Sequence, residues 1–254
     1  MAPSLEIIAL AAFETLRISL PTIVDAARGT VSTDVCSERL DSWSRRLLKE
    51  ASIHLEVKGR EHVMPGKAYI VMSNHQSSYD IPVLFQALRI PIRMVAKKEI
   101  FRIPFMGRAM RAAGFIELDR HNGRSAMKTL VTLPERLHES MSIWIAPEGT
   151  RSKTGHLGPF KTGGFRMAIL SGMQILPVTI DGTRRTLPAG RLTVCRGNTA
   201  RVTITAPIDP VRYGPERINH LIADVRDAIE RHLPALPSLA TSKMKYSGGS
   251  GDKE

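Results

Sequence analysis

A histidine and an aspartate five residues apart are the first side chains in this sequence that could carry out acid–base chemistry. His75 follows the apolar run AYIVM within the stretch SNHQSSYD, and Asp80 precedes a second apolar segment, IPVLFQAL. An imidazole can take a proton from a hydroxyl group near neutral pH, and a carboxylate on its other nitrogen fixes the tautomer and raises its basicity. A second interpretation stays open. Asp80 could be the N-cap of a helix, and His75 could be a loop residue whose side chain is hydrogen-bonded without a catalytic role.

Two further clusters follow apolar runs and carry groups that bind anions. Arg120 comes directly after the run GFIELD, and Lys97 and Lys98 lie upstream of it in VAKKEIFRIPFMG. After the run SIWIA, the glycine of PEGTRSK permits close backbone approach, and its arginine can make paired hydrogen bonds to a phosphate group. This last cluster contributes four candidate residues: Glu148, Gly149, Thr150 and Arg151. Taken singly, each cluster is also compatible with an ordinary surface turn.

The elements that must position these residues alternate between strand-like and helix-like segments from about residue 53 onward. Seven apolar runs are typical of strands: HLEVKG, AYIVMS, IRMVA, GFIELD, SIWIA, ILPVTI and RVTITA. Helical patterns lie near residues 80–89, 105–113, 124–139, 162–172 and 215–233, and a flexible tail is expected over 235–254. The alternation predicts an α/β fold, a single layered domain over residues 53–234 with a mixed, largely parallel central sheet flanked by helices. Functional loops gather at strand ends in such sheets, and all three clusters lie there.

Residues 1–52 predict two amphipathic helices ahead of that domain. In the first helix, Leu16 and Leu20 belong to an apolar side and Glu14 to the opposite, polar side. Because Glu14 interrupts the apolar run and Pro21 would kink the helix, we do not expect this segment to span a bilayer. This pattern is typical of helices that anchor a protein at the membrane interface. It is equally typical of helices that pack against the rest of the domain.

The net charge of +12 is concentrated in the middle of the 254-residue chain. Residues 89–128 carry ten basic and three acidic side chains, and residues 151–201 carry nine basic and one acidic. Such blocks attract anionic lipid headgroups, phosphorylated substrates or nucleic acid. Aromatic residues make up only 5% of the chain and no nucleic-acid-binding motif occurs, which disfavours nucleic acid as a partner.

The cysteines and histidines give no sign of a metal or redox centre. Cys36 and Cys195 have neither metal-ligand nor redox spacing, which is typical of a protein from a reducing compartment. No histidine pair has the local spacing of a zinc site, and no secretory signal is recognisable. We therefore expect neither a metal nor a cofactor.

Taken together and in this order, the three clusters resemble the glycerolipid acyltransferase family, and most closely its 1-acyl-glycerol-3-phosphate (lysophosphatidic acid) acyltransferases. NHQSSYD matches the NHxxxxD signature of that family, FIELDR resembles its second block and PEGTRS matches its third. The segment ILPVTI, centred on Pro177, resembles the fourth block. The resemblance covers roughly residues 50–210, and this combination of spacings is far more specific than any single short motif.

The resemblance implies that a fatty acyl group moves from an acyl thioester to the free hydroxyl of lysophosphatidic acid. His75 would act as the general base, and Asp80 would orient it. No acyl-enzyme is then needed, so Ser77 and Ser78 would not be nucleophiles. The acyl donor would be acyl-CoA or acyl carrier protein, and the sequence does not distinguish the two.

The resemblance also assigns the anion-binding clusters and a location. Arg120 and Arg151 would bind the acceptor phosphate, and Lys97 or Lys98 would supply a further cation. The residues that would shape the site are Glu148, Gly149 and Thr150. The protein would act at the cytoplasmic face of a membrane, as a peripheral or monotopic protein on an anionic lipid surface. The alternatives are another acceptor, such as glycerol-3-phosphate, another lysophospholipid or a lyso-amino-acid lipid, and a non-catalytic protein that binds anionic lipid.

Overall fold

The computed structural model describes residues 5–119, 121–132, 141–191 and 193–235. Within these ranges, one sheet of seven strands forms the centre of the protein. Its strands are β1 (His54–Lys58), β2 (Ile70–Ser73), β3 (Ile92–Lys97), β4 (Ile116–Leu118), β5 (Ser142–Ile145), β6 (Ile175–Asp181) and β7 (Thr199–Ile204). All seven predicted strands are confirmed, because short runs rich in aliphatic and β-branched residues favour a pleated, buried conformation.

The strands lie in the order β1-β7-β6-β2-β5-β3-β4. Every neighbouring pair is parallel except β6 and β7, which run antiparallel. The predicted mixed, largely parallel sheet is therefore confirmed. Strands β2 and β5 are buried throughout, as parallel strands are when helices cover both faces. The carboxyl ends of β6, β2, β5, β3 and β4 share one edge of the sheet, called here the carboxyl edge.

The helices of the described ranges match most of the predicted ones. They are α1 (Leu5–Arg28), α2 (Thr33–Glu50), α3 (Asp80–Leu88), α4 (Met106–Ala112), α5 (Gly123–Thr132), α6 (Gly163–Ser171), α7 (Thr183–Thr186) and α8 (Ile218–Glu230). The helix predicted near residues 124–139 is described only as far as Thr132, and residues 133–140 lie outside the described part, as does the predicted tail from residue 236. Helix α7 was not predicted, because four residues are too few to show a helical period.

The helices cover both faces of the sheet and define two apolar cores. Val71 and Trp144 belong to the core that includes α2 and α3. Ile70 and Met72 belong to the core that includes α6 and α8. Successive residues of β2 therefore serve opposite cores, since side chains alternate across a strand. The amphipathic pattern predicted for the second N-terminal helix is confirmed, since α2 buries one apolar stripe: Cys36, Leu40 and Leu47.

Helix α1 packs against α2 and α4, and its inward side mixes polar residues with apolar ones such as Ile7 and Ile18. Glu14 is buried, where it forms ion pairs with Arg17 of the same helix and with Arg46 of α2. Leu20 and Phe13, on the opposite side, are exposed. One side of α1 therefore exposes large apolar side chains, whereas an ordinary surface helix directs its apolar side toward the core.

The length and composition of α1 also bear on whether it could cross a membrane. The helix continues through Pro21, and its segment Glu6–Arg28 is the one helix in the described ranges that is long and apolar enough to span a bilayer. The prediction that its charges exclude a span is therefore not supported by this criterion. Glu14 and Arg17 pair with each other instead of facing lipid, so they do not interrupt the exposed apolar side.

Candidate active site

The loop after β2 brings His75 and Asp80 into direct contact at the carboxyl edge. His75 Nδ1 lies 2.7 Å from Asp80 Oδ2. The Asp80 side chain is fully buried, whereas the imidazole is 17% exposed. The pair therefore consists of a buried acid and a ring that reaches the protein surface.

Asp80 begins α3 but is not its N-cap, so that alternative interpretation of the sequence is wrong. Tyr79 occupies the cap position and makes no side-chain hydrogen bond there. Asp80 Oδ2 instead accepts hydrogen bonds from the backbone amides of Gln76, at 2.7 Å, and Ser77, at 2.9 Å. Asp80 Oδ1 accepts a hydrogen bond from the hydroxyl of Thr183. The carboxylate faces back toward the loop because these donors converge there, and they fix its orientation toward the imidazole.

The imidazole of His75 is held from a second side by Trp144 in β5. The two rings meet edge to face, with centroids 5.4 Å apart and planes at 87°. The indole N–H of Trp144 donates to Ser73 Oγ over 2.9 Å, which fixes the indole in turn. Because Nδ1 faces Asp80, Nε2 points away from that carboxylate, and no hydrogen bond to Nε2 occurs within the described ranges. Nε2 is therefore the ring nitrogen that could accept a proton.

Asn74 attaches this loop to the neighbouring strand β6. Its side-chain N–H donates to the Ile180 carbonyl over 2.8 Å, and its side-chain oxygen accepts from the Ile180 amide over 2.8 Å. This paired contact ties the histidine loop to the sheet through Asn74. The hydroxyl of Ser77 is also used structurally, since it donates to the Leu187 carbonyl over 2.8 Å.

Glu148 joins the third cluster to the histidine loop. Its Oε1 accepts a hydrogen bond from the backbone amide of His75 over 2.9 Å, and its Oε2 accepts one from the Gly158 amide over 2.8 Å. Burial raises the pKa of the Glu148 carboxyl, and the hydrogen bonds from Gly158 and His75 oppose that rise. The carbonyl of His75 is also engaged, by the Ser152 amide at 2.7 Å. Both backbone polar groups of His75 are thus held by residues of the PEGTRS segment.

Gly149 lies at a position that only glycine can fill without displacing its neighbours. Its φ angle is +71°, and a Cβ atom there would lie 2.9 Å from Cε of Lys161. Lys161 approaches because its backbone amide donates to the Pro147 carbonyl over 2.9 Å. The glycine therefore allows a lysine side chain to lie directly over the turn. Thr150 follows it and is exposed.

Arg151 is the candidate cation that the structure brings to the histidine loop. Its guanidinium donates to Ser78 Oγ over 2.9 Å, and Ser78 is exposed. Arg120, the other candidate partner for a phosphate, lies outside the described residues.

The two candidate lysines lie farther along the carboxyl edge. Lys97 ends β3, which is separated from β2 by β5, and its side chain is exposed. Lys98 forms an ion pair with Asp119, and this contact holds the pKa of the Asp119 carboxyl below its ordinary value. Lys98 is therefore already engaged by an acidic side chain.

Two features of the site were not predicted from the sequence. Thr183, which contacts Asp80, lies directly after β6 in the stretch DGT, and its place at a strand end is the one signal that could have found it. The second feature is an apolar cavity of about 320 Å³ that reaches Ser78 and Tyr79. It lies between α1, α2, α3 and α4, and its apolar lining includes Leu40, Trp43, Phe85, Met94 and Met110. Ligand pockets are commonly about 300–1,000 Å³.

Comparisons with known proteins identify the family of this chain. The model of the acyltransferase family matches residues 54–181, which include β1 to β6 and the His75 loop. The chain is 33% identical over 168 residues to the 1-acyl-sn-glycerol-3-phosphate acyltransferase of Escherichia coli strain K12, covering 66% of this chain and 67% of that protein. It is 34% identical over 170 residues to the protein of the same name from Haemophilus influenzae, covering 66% and 69%.

A solved structure shows the same fold. The crystal structure of the 1-acyl-sn-glycerophosphate (LPA) acyltransferase PlsC from Thermotoga maritima matches with a TM-score of 0.72 and 24% sequence identity. The match covers 94% of this chain and 97% of that one, so it includes the N-terminal helices as well as the sheet. The chain belongs to the acyltransferase family.

Proposed function

We propose that this protein transfers a fatty acyl group from an acyl thioester to the free hydroxyl of lysophosphatidic acid, giving phosphatidic acid. The observation that carries the proposal is the contact of His75 Nδ1 with the fully buried Asp80, at 2.7 Å, beside a cation, Arg151. The names of the relatives from Escherichia coli and Haemophilus influenzae support the choice of acceptor.

The proposed chemical step uses His75 as a general base. With the proton on Nδ1 donated to Asp80, Nε2 accepts the proton of the acceptor hydroxyl while the hydroxyl oxygen attacks the thioester carbonyl. The carbon–sulfur bond then breaks, and the thiolate takes the proton back from the imidazolium. Asp80 stabilises the imidazolium in between, and Trp144 keeps the ring from turning. No acyl-enzyme forms in these steps. The donor is acyl-CoA or the acyl thioester of acyl carrier protein, and no cofactor takes part.

Arg151 is proposed to bind the acceptor phosphate. A guanidinium makes paired hydrogen bonds to phosphate oxygens, and Ser78 holds this one next to the histidine loop. We assign Arg120 the same role by its place in the second block. Lys97 remains a candidate for a further cation at the same edge, whereas Lys98 would first have to leave Asp119. Glu148, Gly149 and Thr150 shape this site through their turn.

The apolar cavity is proposed to hold an acyl chain of a substrate. Several of its polar lining groups are already hydrogen-bonded: the indole N–H of Trp43 donates to Thr15 Oγ1 over 3.1 Å, and Arg39 donates to Thr22 Oγ1 over 3.1 Å. Tyr79 also lines the cavity, and its buried hydroxyl has no hydrogen-bond partner among the described residues. The wall therefore offers few free polar groups to an apolar ligand. Since the cavity reaches Ser78 and Tyr79 of the histidine loop, a chain inside it would leave its carbonyl end near His75.

The exposed side of α1 is proposed to rest in the membrane interface. Phe13 and Leu20 face outward, and α1 packs along α2, whose Arg45 and Arg46 are exposed. A helix that keeps a polar, partly charged partner along its length suits a monotopic position better than a full span. The basic blocks favour the cytoplasmic leaflet, because that leaflet carries anionic lipid.

A product assay tests the proposed function directly. Purified protein is given a panel of lysolipid acceptors, glycerol-3-phosphate and a lyso-amino-acid lipid among them, with acyl-CoA or acyl carrier protein as donor. We expect phosphatidic acid from lysophosphatidic acid, and a loss of about a hundredfold or more in turnover for His75→Ala, the scale of a lost general base. His54→Ala, at an exposed histidine of β1, is the matched control and should keep full turnover. Wild-type-like turnover by His75→Ala would refute the proposed mechanism, and lipid binding without any acylated product would favour a non-catalytic protein.

A further inference from the structure

A turn between β3 and α4 exposes two large apolar side chains. Ile103 is 48% exposed and Phe105 is 54% exposed, and both follow the short 3-10 helix Ile100–Arg102. Residues 103–105 are called here the apolar turn. Apolar side chains this exposed are ordinary when they are isolated, but a group of them marks a surface that binds something.

The apolar turn has a strained and firmly held backbone. Phe105 has φ +60° and ψ −57°, and the Met106 amide donates to the Pro104 carbonyl over 2.7 Å, which makes a γ-turn with positive φ. Such turns are rare, and a residue other than glycine is strained in this region. Gly107 packs directly behind the turn, since a Cβ atom there would lie 2.0 Å from the Phe101 carbonyl oxygen. The backbone therefore holds Phe105 in the solvent instead of letting it fold back.

The apolar turn is joined to the element that packs against α1. It leads directly into α4, and α4 packs against α1. Ten large apolar side chains are exposed in the described ranges; five belong to α1 and two to the apolar turn. The five in α1 are Leu10, Phe13, Leu16, Leu20 and Val24. Most of the exposed large apolar side chains thus belong to α1 or to the turn that leads into the helix packed on it.

The charges around the apolar turn fit anionic lipid. Arg102 and Arg108 flank it and are exposed. Arginines at the edge of an apolar surface can contact lipid phosphates while the apolar groups enter the acyl region. The inner side of the turn also matters, because Ile100 and Met106 line the apolar cavity.

We propose that Ile103 and Phe105 insert into the membrane as a second attachment point beside α1. Insertion would bring the cavity wall at Ile100 and Met106 to the lipid, so that an acyl chain could pass between bilayer and cavity without crossing water. The proposal builds on the membrane role assigned to α1 but concerns a different element. It does not depend on which acceptor is acylated.

Vesicle binding by two matched double variants tests the proposal. In the first, Ile103→Ser and Phe105→Asn remove the apolar groups, and asparagine tolerates a positive φ better than most residues, which preserves the turn. In the second, Leu170→Ser and Val211→Asn change two side chains that are 62% and 61% exposed on the side of the sheet covered by α6. We expect the first variant to bind phosphatidylglycerol vesicles on the order of tenfold or more weakly, and the second to bind like the unaltered protein.

Two further measurements separate the proposal from its competitors. Turnover of short-chain, water-soluble substrates should be unchanged in both double variants, so that a failure of the proposed reaction is seen independently of membrane binding. Ile103→Trp should lose fluorescence on vesicles with brominated acyl chains, relative to the unaltered protein, while Leu170→Trp should not. Unchanged vesicle affinity of the first double variant, equal losses in both, or no quenching of Ile103→Trp would overturn the proposal. A loss of affinity for acyl carrier protein, with vesicle binding intact, would assign the surface to that acidic partner instead.

Discussion

Replacing Asp80 by asparagine isolates the charge of the carboxylate from its hydrogen bonds. Oδ2 accepts from His75, Gln76 and Ser77, so an asparagine should place its oxygen there and its amide N–H groups toward Thr183. The hydroxyl of Thr183 can then accept instead of donating. The imidazole keeps its tautomer, and the main loss is the negative charge beside the imidazolium.

The size of that loss follows from the distance between the groups. At an effective dielectric constant of about 20, unit charges about 4 Å apart interact by about 4 kcal/mol, which is an upper limit here. That energy corresponds to about a thousandfold in rate. We therefore expect Asp80→Asn to lower kcat by about a hundred- to a thousandfold, and less than the roughly ten-thousandfold seen when the tautomer of a catalytic histidine is lost as well.

The assay is steady-state acylation of lysophosphatidic acid in detergent, with Thr183→Val as control. That control removes one hydrogen bond to Asp80 and keeps its charge, so we expect about a tenfold loss or less. A kcat for Asp80→Asn within threefold of the unaltered protein would refute the electrostatic role. A loss as small in Asp80→Asn as in Thr183→Val would show that only the hydrogen bonds matter.

Arg151→Ala should raise the KM for lysophosphatidic acid by about tenfold or more and leave the KM for an acceptor without phosphate unchanged; equal effects on both acceptors would remove the phosphate-binding role. Phe13→Ser with Leu20→Ser should weaken vesicle binding by roughly tenfold without lowering the denaturation midpoint, since both side chains are exposed; unchanged flotation with anionic vesicles would contradict the α1 anchor. The pKa of Glu148 is raised in the folded state, so folding favours its protonated form. The contribution of this carboxyl to stability is therefore lost as the pH rises above the ordinary pKa of a glutamate. Glu148→Gln removes that term, so urea titrations should show the variant gaining relative to the unaltered protein from about pH 4 to pH 7; a constant difference would contradict the raised pKa.

The sheet and most helices could be predicted because their signals are local. Runs such as IVMS and SIWI are apolar at every position, which indicates strands buried on both faces. The order of clusters at strand ends then placed His75, Asp80 and Arg151 at one edge. The family signature narrowed the chemistry further than the residue types alone could.

The parts that could not be predicted depend on which partner a side chain finds in three dimensions. The pattern of α1 shows two faces but not that Glu14 would point inward to Arg17 and Arg46. Likewise, nothing in the sequence indicates that Asp119 would engage Lys98. The same holds for Asp80, which begins α3 but whose side chain accepts hydrogen bonds from the preceding loop instead of capping the helix.

The hold of the PEGTRS segment on His75 has a consequence for which hydroxyl is acylated. Glu148 binds the amide of His75 and Ser152 binds its carbonyl, while Arg151 lies between them in the chain. On the proposed reaction, the phosphate anchor and the base therefore share one rigid piece of backbone. The distance between Arg151 and His75 would therefore be fixed, and it would select the acceptor hydroxyl that reaches the base. Regiochemistry would be set by how far a hydroxyl lies from the phosphate along the glycerol, and any acceptor with the wrong spacing would bind without reacting.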